Sequence, residues 1–311
     1  MRRITAAGVD RAREEDRSLL RAWVMRGTLH LLATEDADWM LPLFAERELR
    51  WSRRRIQDLM GLDETAQRRA SGQVIRLLTS RGEVSRQEVA ADLREAGFDT
   101  ESNAIHHLAR LPVLEGSALL GPDRRGKTSY VLRRDWIGDP GPFDRDAAMS
   151  ELARRHLGAF GPADERDMAA WSGLGLRECR AAMERIGTEL DEVDVGGQRA
   201  WILTKRSPRS ARSPQVRLLS AFDNHLMGHG SRDIAVPAEH VKRVWPGAGI
   251  VRATVLVDGI AVGTWGARRG GGQIKVTLDL FAPSGDAVLR AVEAEVADVG
   301  RFEGLRAIVR S

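Results

Sequence analysis

The order of helix and strand patterns in this 311-residue sequence predicts an α+β fold of tandem repeats followed by a C-terminal β-rich α/β subdomain. Two segments, 64–138 and 143–206, each show three helical patterns and then two strand patterns joined by a short turn. Three helices followed by a hairpin are typical of a winged helix. We therefore predict winged helices over both segments, a partial first winged helix over 1–63, a linker over 207–214 and the β-rich subdomain over 215–311.

The N-terminal region combines a charged helix pattern with a polar strand pattern. Residues 9–25 are predicted as an amphipathic helix with an apolar C-terminal end. The alternation that follows predicts a strand with Thr28 and His30 on one face and Leu29 and Leu31 on the other. The strand would thus present a hydroxyl and an imidazole together, as a ligand-facing surface does. The ordinary alternative is that both groups are solvated or bonded to neighbours.

A long helix is predicted next. Thr34 is a suitable N-cap, and Glu35 and Asp36 would lie in the first turn, where acids suit the helix dipole. The apolar stripe begins at Trp39, and the helix continues through the arginine-rich stretch 47–55. That stretch is interpreted as a solvated face.

The second predicted winged helix ends in a basic hairpin. Its turn, 122–127, carries Arg124, Arg125 and Lys127, which suit contacts to DNA phosphates. Hairpin tips are polar in any case, and many winged helices bind protein instead.

Ser85 is the predicted N-cap of the middle helix of this second winged helix. The predicted helices are 65–81, 86–96 and 101–111, and the predicted strands are 113–116, 118–121 and 129–132.

The third helix of a winged helix normally lies in or along a DNA groove. Helical spacing places Asn103, His106 and Arg110 on the outward face of that helix in the second winged helix. In the following winged helix, Arg177 and Arg180 are the outward residues. The predicted DNA-contacting set consists of these residues, the three basic hairpin residues, and Arg26, Thr28 and His30.

The remaining elements follow from shorter patterns. The break at 139–142 is a predicted domain boundary, and Gly196-Gly197 is a predicted two-residue hairpin turn. Helices are predicted over 144–157, 163–171, 176–186 and 286–299, and strands over 189–195, 198–204, 250–257, 260–265 and 273–280.

Composition limits the class of protein. The formal charge of +4 is too small to prove a nucleic-acid partner, but no acidic residue occurs between Asp194 and Asp223, where arginines are frequent. The chain has a single cysteine, Cys179, which excludes an internal disulfide and predicts a reducing, cytoplasmic protein. Helical spacing places Cys179 on the inward face of its helix, in the core. No apolar run approaches the roughly 20 residues of a membrane helix. We expect a monomer that is not inserted in a membrane.

A metal or a nucleotide cofactor is not expected. Three residues of types that ligate metal ions occur close together in the sequence, Asp223, His225 and His229. The local pattern does not define a coordination geometry for them. Asp223 and His225 are interpreted as cleft or structural residues. The sequence contains no glycine-rich dinucleotide motif, no Walker loop and no Gly-x-Ser-x-Gly elbow.

Two motifs together indicate a family. The segment Arg26–His30, followed by Glu35-Asp36 and Trp39, and the distant segment Leu218–Asp223 resemble winged-helix proteins related to the AlkZ and YcaQ DNA glycosylases. The resemblance covers essentially the whole chain. It implies three winged helices and a β-rich part that form a concave surface for duplex DNA, and release of bulky alkylated purines by hydrolysis of the glycosidic bond.

The catalytic element that the resemblance implies is a Gln-x-Gln or Gln-x-Asp motif upstream of the Arg26–His30 segment. No such motif occurs between Met1 and Arg26. Either the start codon is assigned too far downstream, or a shorter member has lost glycosylase chemistry. His30, Glu35 and Asp36 are the nearest substitutes. The expected function is duplex DNA binding by a glycosylase relative of uncertain activity, and the alternative is a non-enzymatic winged-helix transcriptional regulator.

Overall fold

The computed structural model of the chain describes residues 4–98, 105–124, 126–205 and 215–310. The fold is mixed α+β, as predicted, and packs into two compact units, one of 9–149 and one of 150–310 with 4–8. The five-part division predicted from the sequence is finer than this split and stays a prediction. Asn103, Arg125 and the predicted linker 207–214 lie outside the described residues.

The first unit contains several helices and one five-stranded sheet. The strands of this sheet are arranged in the order β2-β1-β4-β5-β3. The elements are α1 (Ala6–Glu14), β1 (Leu19–Trp23), β2 (Leu29–Ala33), α2 (Ala37–Met60), α3 (Glu64–Arg81), β3 (Glu83–Ser85), α4 (Arg86–Glu95), α5 (Ile105–Leu114), β4 (Ala118–Arg124), β5 (Lys127–Leu132) and α6 (Arg133–Trp136).

The segment from α3 to β5 has the topology of a winged helix. The short strand β3 lies between the first two helices and pairs antiparallel with β5, the returning strand of the hairpin. Val84, Leu93 and Leu108 are fully buried between the helices and the sheet. Ser85 caps α4 as predicted, because its hydroxyl accepts from the Glu88 N–H while the Glu88 carboxylate accepts from the Ser85 N–H.

The predicted helix over 9–25 is wrong in its second half. Helix α1 ends at Glu14, and Leu19–Trp23 is strand β1, antiparallel to β2. Leu20 and Ala22 alternate with half-buried neighbours along β1, which is the strand period rather than the helical one. The apolar cluster at this end of the predicted helix therefore serves a sheet.

Thr34 does not cap the long helix. Its hydroxyl donates to the Arg17 carbonyl at 2.5 Å, and a 3₁₀ turn over Thr34–Asp36 precedes α2, which begins at Ala37. The side chain of Thr34 thus joins the turn to the loop before β1. The predicted continuation of the helix through the arginine-rich stretch is confirmed, since α2 ends at Met60.

The paired strands of the basic hairpin extend further toward its tip than predicted. Residues 113 and 114 extend helix α5, so the predicted strand over 113–116 is wrong. A short apolar run fits either structure, and here Leu114 is buried as a helical residue. Strands β4 and β5 stay paired out to Arg124 opposite Lys127.

The second unit repeats the helix and hairpin order and then forms a sheet. Its sheet has the order β12-β11-β10-β9-β8. Helix α7 begins shortly before this unit. The elements are α7 (Arg145–Phe160), α8 (Glu165–Ser172), α9 (Leu176–Arg185), β6 (Leu190–Val195), β7 (Gln198–Leu203), β8 (Val216–Leu219), α10 (Asn224–Met227), α11 (Val241–Val244), β9 (Thr254–Val257), β10 (Ile260–Gly270), β11 (Gln273–Leu280), α12 (Asp286–Glu303) and β12 (Arg306–Arg310).

Helices α7, α8 and α9 and the hairpin β6–β7 form another three-helix and hairpin unit. A short antiparallel bridge between Ala163 and Trp201 occupies the place that β3 takes in the winged helix from α3 to β5. The hairpin turn is Gly196-Gly197, as predicted, with φ values of 63° and 83° that side chains other than glycine rarely adopt.

The C-terminal sheet is mixed, because β11 and β12 run parallel while the other neighbours are antiparallel. Helix α12 connects the parallel pair and buries Val292 and Val296 against the sheet. The predicted β-rich α/β character of the C-terminal part is confirmed. Among the described residues, every helix is too short or too polar to span a bilayer.

Candidate functional site

A groove between helix α4 and the basic hairpin has a volume of about 490 Å³. We call it the α4 groove. The side chains of Arg86 and Lys127 line it, together with neutral residues of the helix and the hairpin. The Lys127 ammonium donates to the neutral Gln87 side chain at 3.0 Å, a hydrogen bond that brings no opposite charge to it. Two cations in an open groove of this size suit a phosphate group.

The other described basic residue of the hairpin is already paired. Arg124 lies 3.1 Å from a carboxylate oxygen of Glu14 and 3.1 Å from one of Glu83. These acids are distant in sequence, so the hairpin pattern alone could not show them. Arg124 therefore offers less uncompensated charge to a phosphate than Lys127.

Arg110 does not lie on an outward face. Its guanidinium is buried, 3.0 Å from the Glu48 carboxylate and stacked 4.5 Å from the centre of the Trp23 ring. Helix α2 packs on α5 and covers the face that helical spacing had identified. The predicted exposure of Arg110 is therefore wrong. His106 is half-buried, and its ring lies 3.9 Å from that of His107.

The predicted outward face of helix α9 is confirmed in its exposure. Arg177 and Arg180 are both exposed, and Arg180 lies 3.1 Å from the Glu165 carboxylate. Cys179, on the opposite side, is completely buried. Burial raises the pKa of its thiol to about 11, which removes the thiolate needed for nucleophilic chemistry.

The Arg26–His30 turn has a different geometry from the predicted strand. A 3₁₀ turn over Met25–Gly27 places Arg26 at φ 55°, and β2 begins only at Leu29. The Thr28 hydroxyl donates to the Met25 carbonyl at 3.1 Å, so Thr28 serves the turn and does not share a strand face with His30. Leu29 and Leu31 are 48% and 53% exposed.

The surroundings of His30 lower its pKa and so favour the neutral imidazole. Burial lowers the pKa of His30, and the nearby Arg26 charge lowers it further, against a hydrogen bond with the Thr28 carbonyl. The ring Nδ1 lies 3.0 Å from that carbonyl oxygen. A neutral imidazole can accept a proton from water, which is the property a general base requires.

The largely buried carboxylate of Glu48 in helix α2 lies close against this turn. A Cβ atom added at Gly27, where φ is 69°, would lie 2.6 Å from both carboxylate oxygens of Glu48. The same carboxylate pairs with Arg110. Gly27 is therefore required by close approach as well as by backbone conformation.

The two acidic candidates near the turn have different surroundings. Glu35 is exposed, whereas Asp36 is buried and accepts from the Trp39 indole N–H at 3.1 Å. Asp36 therefore positions the tryptophan at the start of α2. Glu35 is the more accessible of the two carboxylates.

The downstream candidates Asp223 and His225 belong to a helix cap. The Asp223 carboxylate accepts from the His225 backbone N–H at 2.9 Å. His229 lies 3.7 Å from Asp167, not from Asp223. Burial would raise the pKa of Asp167, but hydrogen bonds from His229 and from the backbone outweigh it and lower that pKa to about 2. Within the described ranges, no three His, Cys, Asp or Glu residues are placed to hold a metal ion.

Sequence reasoning missed a mainly apolar cavity of about 520 Å³ in the first unit. Trp23, Leu49, Leu120 and Phe143 contribute to its walls, and the buried Arg133 also lines it and is paired with Asp38. These residues come from separate elements, so no local motif identifies the cavity.

Comparisons with known proteins agree with the fold. The family model described as "DNA glycosylase AlkZ-like" matches residues 1–302. An "Interstrand DNA cross-link repair glycosylase" of Streptomyces sahachiroi is 30% identical over 307 residues, covering 93% of this chain and 80% of that protein. The solved structure of "Streptomyces sahachiroi DNA glycosylase AlkZ" is similar with a TM-score of 0.78 and 28% identity, covering 97% of this chain and 84% of that one. The chain belongs to the AlkZ-like DNA glycosylase family.

Proposed function

We propose that this chain binds duplex DNA with little sequence preference, through the hairpin and middle helix of one winged helix and the third helix of the next. The observation that carries the proposal is the α4 groove, where Arg86 and Lys127 face one open space beside a winged-helix hairpin. Contacts from such cations to phosphates position a protein on DNA but read no sequence. Arg177 on α9 adds an exposed charge on the third helix of the other winged helix.

The distribution of charge along the sequence supports the same partner. The residues between Asp194 and Asp223 contain no acid, and Arg199, Lys205 and Arg217 lie among them. Arginine forms bidentate contacts with phosphate more readily than lysine does. A stretch of sequence with this excess of positive charge suits a polyanionic partner.

Family membership indicates hydrolysis of an N-glycosidic bond as the chemistry, and we propose that this 311-residue form performs it weakly. Neither Gln-x-Gln nor Gln-x-Asp occurs anywhere in its sequence. Hydrolysis needs a group that positions or deprotonates water while the sugar gains positive charge. Among the candidates His30, Glu35 and Asp36, His30 is best suited to that role, because burial lowers its pKa and favours the neutral imidazole.

Salt titration of DNA binding tests this proposal. Each neutralised phosphate releases counterions, so log K should fall with log salt at a slope of about −0.9 per contact. Engagement of Arg86, Lys127 and Arg177 alone then gives a slope of about −3. We expect the same slope for duplexes of unrelated sequence and equal length. An affinity that does not change between about 50 and about 200 mM salt would contradict the electrostatic mode.

A further inference from the structure

A phenylalanine that follows strand β8 has both an unusual backbone and an exposed ring. Phe222 has φ 60°, a left-handed conformation that bulky side chains rarely adopt. Its side chain is 54% exposed, although burial is the usual position of a phenylalanine. Backbone conformations of this kind persist only where surrounding structure fixes them, and they concentrate at functional sites.

Hydrogen bonds on both sides of Phe222 fix its backbone. The Phe222 N–H donates to the Val251 carbonyl at 3.2 Å, and the following residue, Asp223, caps helix α10. Just upstream, the indole N–H of Trp265 donates to the Leu219 carbonyl at 2.7 Å. The peptide backbone is thus anchored while the ring projects into solvent.

The downstream end of the same segment is anchored on the winged helix of this unit. The completely buried His156 lies with Nε2 2.9 Å from the Gly228 carbonyl oxygen. The Gly230 N–H donates to Asp167 at 2.8 Å. A Cβ atom at Gly228 would collide with the Phe160 ring, so the contact is close. Phe222 therefore projects from a segment that is rigidly attached to α7 and α8.

The neighbouring chain segment is cationic. Phe222 is hydrogen-bonded to Val251, and residues 240–257 contain Lys242, Arg243 and Arg252 but no acidic residue. Arg243 pairs with Asp279 at 2.7 Å, which compensates its charge and leaves Lys242 and Arg252 as the cations available to a partner. Arg252 is exposed. Ile250, next to Val251, is 47% exposed and adds a second apolar side chain. An exposed aromatic ring beside cations suits a partner that has both negative charge and flat rings.

We propose that Phe222 is a wedge that stacks on or inserts between DNA bases when this chain binds duplex DNA. The inference rests on the proposed DNA binding. Apolar side chains inserted at a base step unstack it and kink the duplex, which widens the contact with the protein. A rigid aromatic on an anchored backbone is suited to this because little side-chain and backbone freedom is lost on insertion.

The test uses short duplexes carrying the fluorescent base 2-aminopurine at several positions, with wild type and variants of the full chain. Unstacking raises 2-aminopurine fluorescence, so we expect the wild type to raise it on binding. Phe222→Ala should lose this increase and bind about tenfold more weakly, in line with the usual contribution of one base–aromatic stack. Phe222→Trp should retain the response. Phe302→Ala, which removes another exposed phenylalanine in the same unit, is the matched control and should behave as wild type.

A stability measurement separates the wedge from a structural role. Phe222→Gly removes the strained side chain, so its melting temperature should be equal to or higher than that of the wild type, while the fluorescence response is lost. A wild type that binds DNA, with Phe222→Ala giving the same fluorescence increase and affinity, would overturn the wedge alone. A lower melting temperature for Phe222→Gly would also overturn it, since the ring would then stabilise the fold. A wild type that binds no duplex DNA would overturn both proposals.

Discussion

Glu48→Ala is expected to lower the free energy of unfolding by about 3–5 kcal/mol, because it leaves a buried guanidinium without its counter-ion. The side chains of Arg110 and Glu48 are only 8% and 13% exposed, and the two charged groups lie 3.0 Å apart. Arg110 is further enclosed by the Trp23 ring. Chemical denaturation followed by tryptophan fluorescence measures the change.

The control for this variant lies on the same helix. Glu46 forms an exposed i,i+4 ion pair with Arg50 in α2. Such pairs contribute about 0.2–0.5 kcal/mol, so Glu46→Ala should change stability little. Equal losses for the two variants would show that Arg110 does not depend on Glu48 for its burial.

Removing the charges of Arg124, Arg125 and Lys127 together is expected to weaken duplex binding by more than about tenfold on every sequence alike. Each lost phosphate contact should also reduce the salt slope by about one unit. The structure ranks the described members, because Arg124 is paired with Glu14 and Glu83 whereas Lys127 bonds a neutral side chain. Lys127→Ala alone should therefore cost more affinity than Arg124→Ala alone.

A variant with the same loss of charge provides the comparison. Arg76, Arg94 and Arg290 are exposed residues of helices α3, α4 and α12. Their joint replacement by alanine should leave most of the affinity in place. If the hairpin variant binds as the wild type does, or if both variants weaken equally, the hairpin is not the specific DNA contact.

Local signals predicted those parts of the fold that depend on local physics. The N-cap at Ser85, the glycine pair at the β6–β7 turn and the outward face of α9 each involve residues within a few positions of one another. Their geometry follows from backbone and side-chain preferences that the sequence displays directly.

The errors come from contacts that are distant in sequence. Leu19–Trp23 looked helical because a strand that pairs with β2 and β4 can be recognised only once its partners are known. Arg110 looked exposed because nothing in its own helix shows that α2 covers it. Strands β8 and β12 were missed for the same reason, since β12 pairs parallel with β11 across helix α12.

The central claim is that this chain binds duplex DNA but has little glycosylase activity. It is tested most directly by measuring binding and base release on the same duplex, which carries a bulky N7-alkylguanine. We predict that the 311-residue chain binds this DNA at low salt and releases little modified base. A variant with a Gln-x-Gln segment added upstream, assayed in parallel, should release more of it if that segment supplies a catalytic group. Inactivity of both forms, with DNA binding intact, would favour a regulator. Failure of the 311-residue chain to bind duplex DNA, or robust base release by it, would contradict the account.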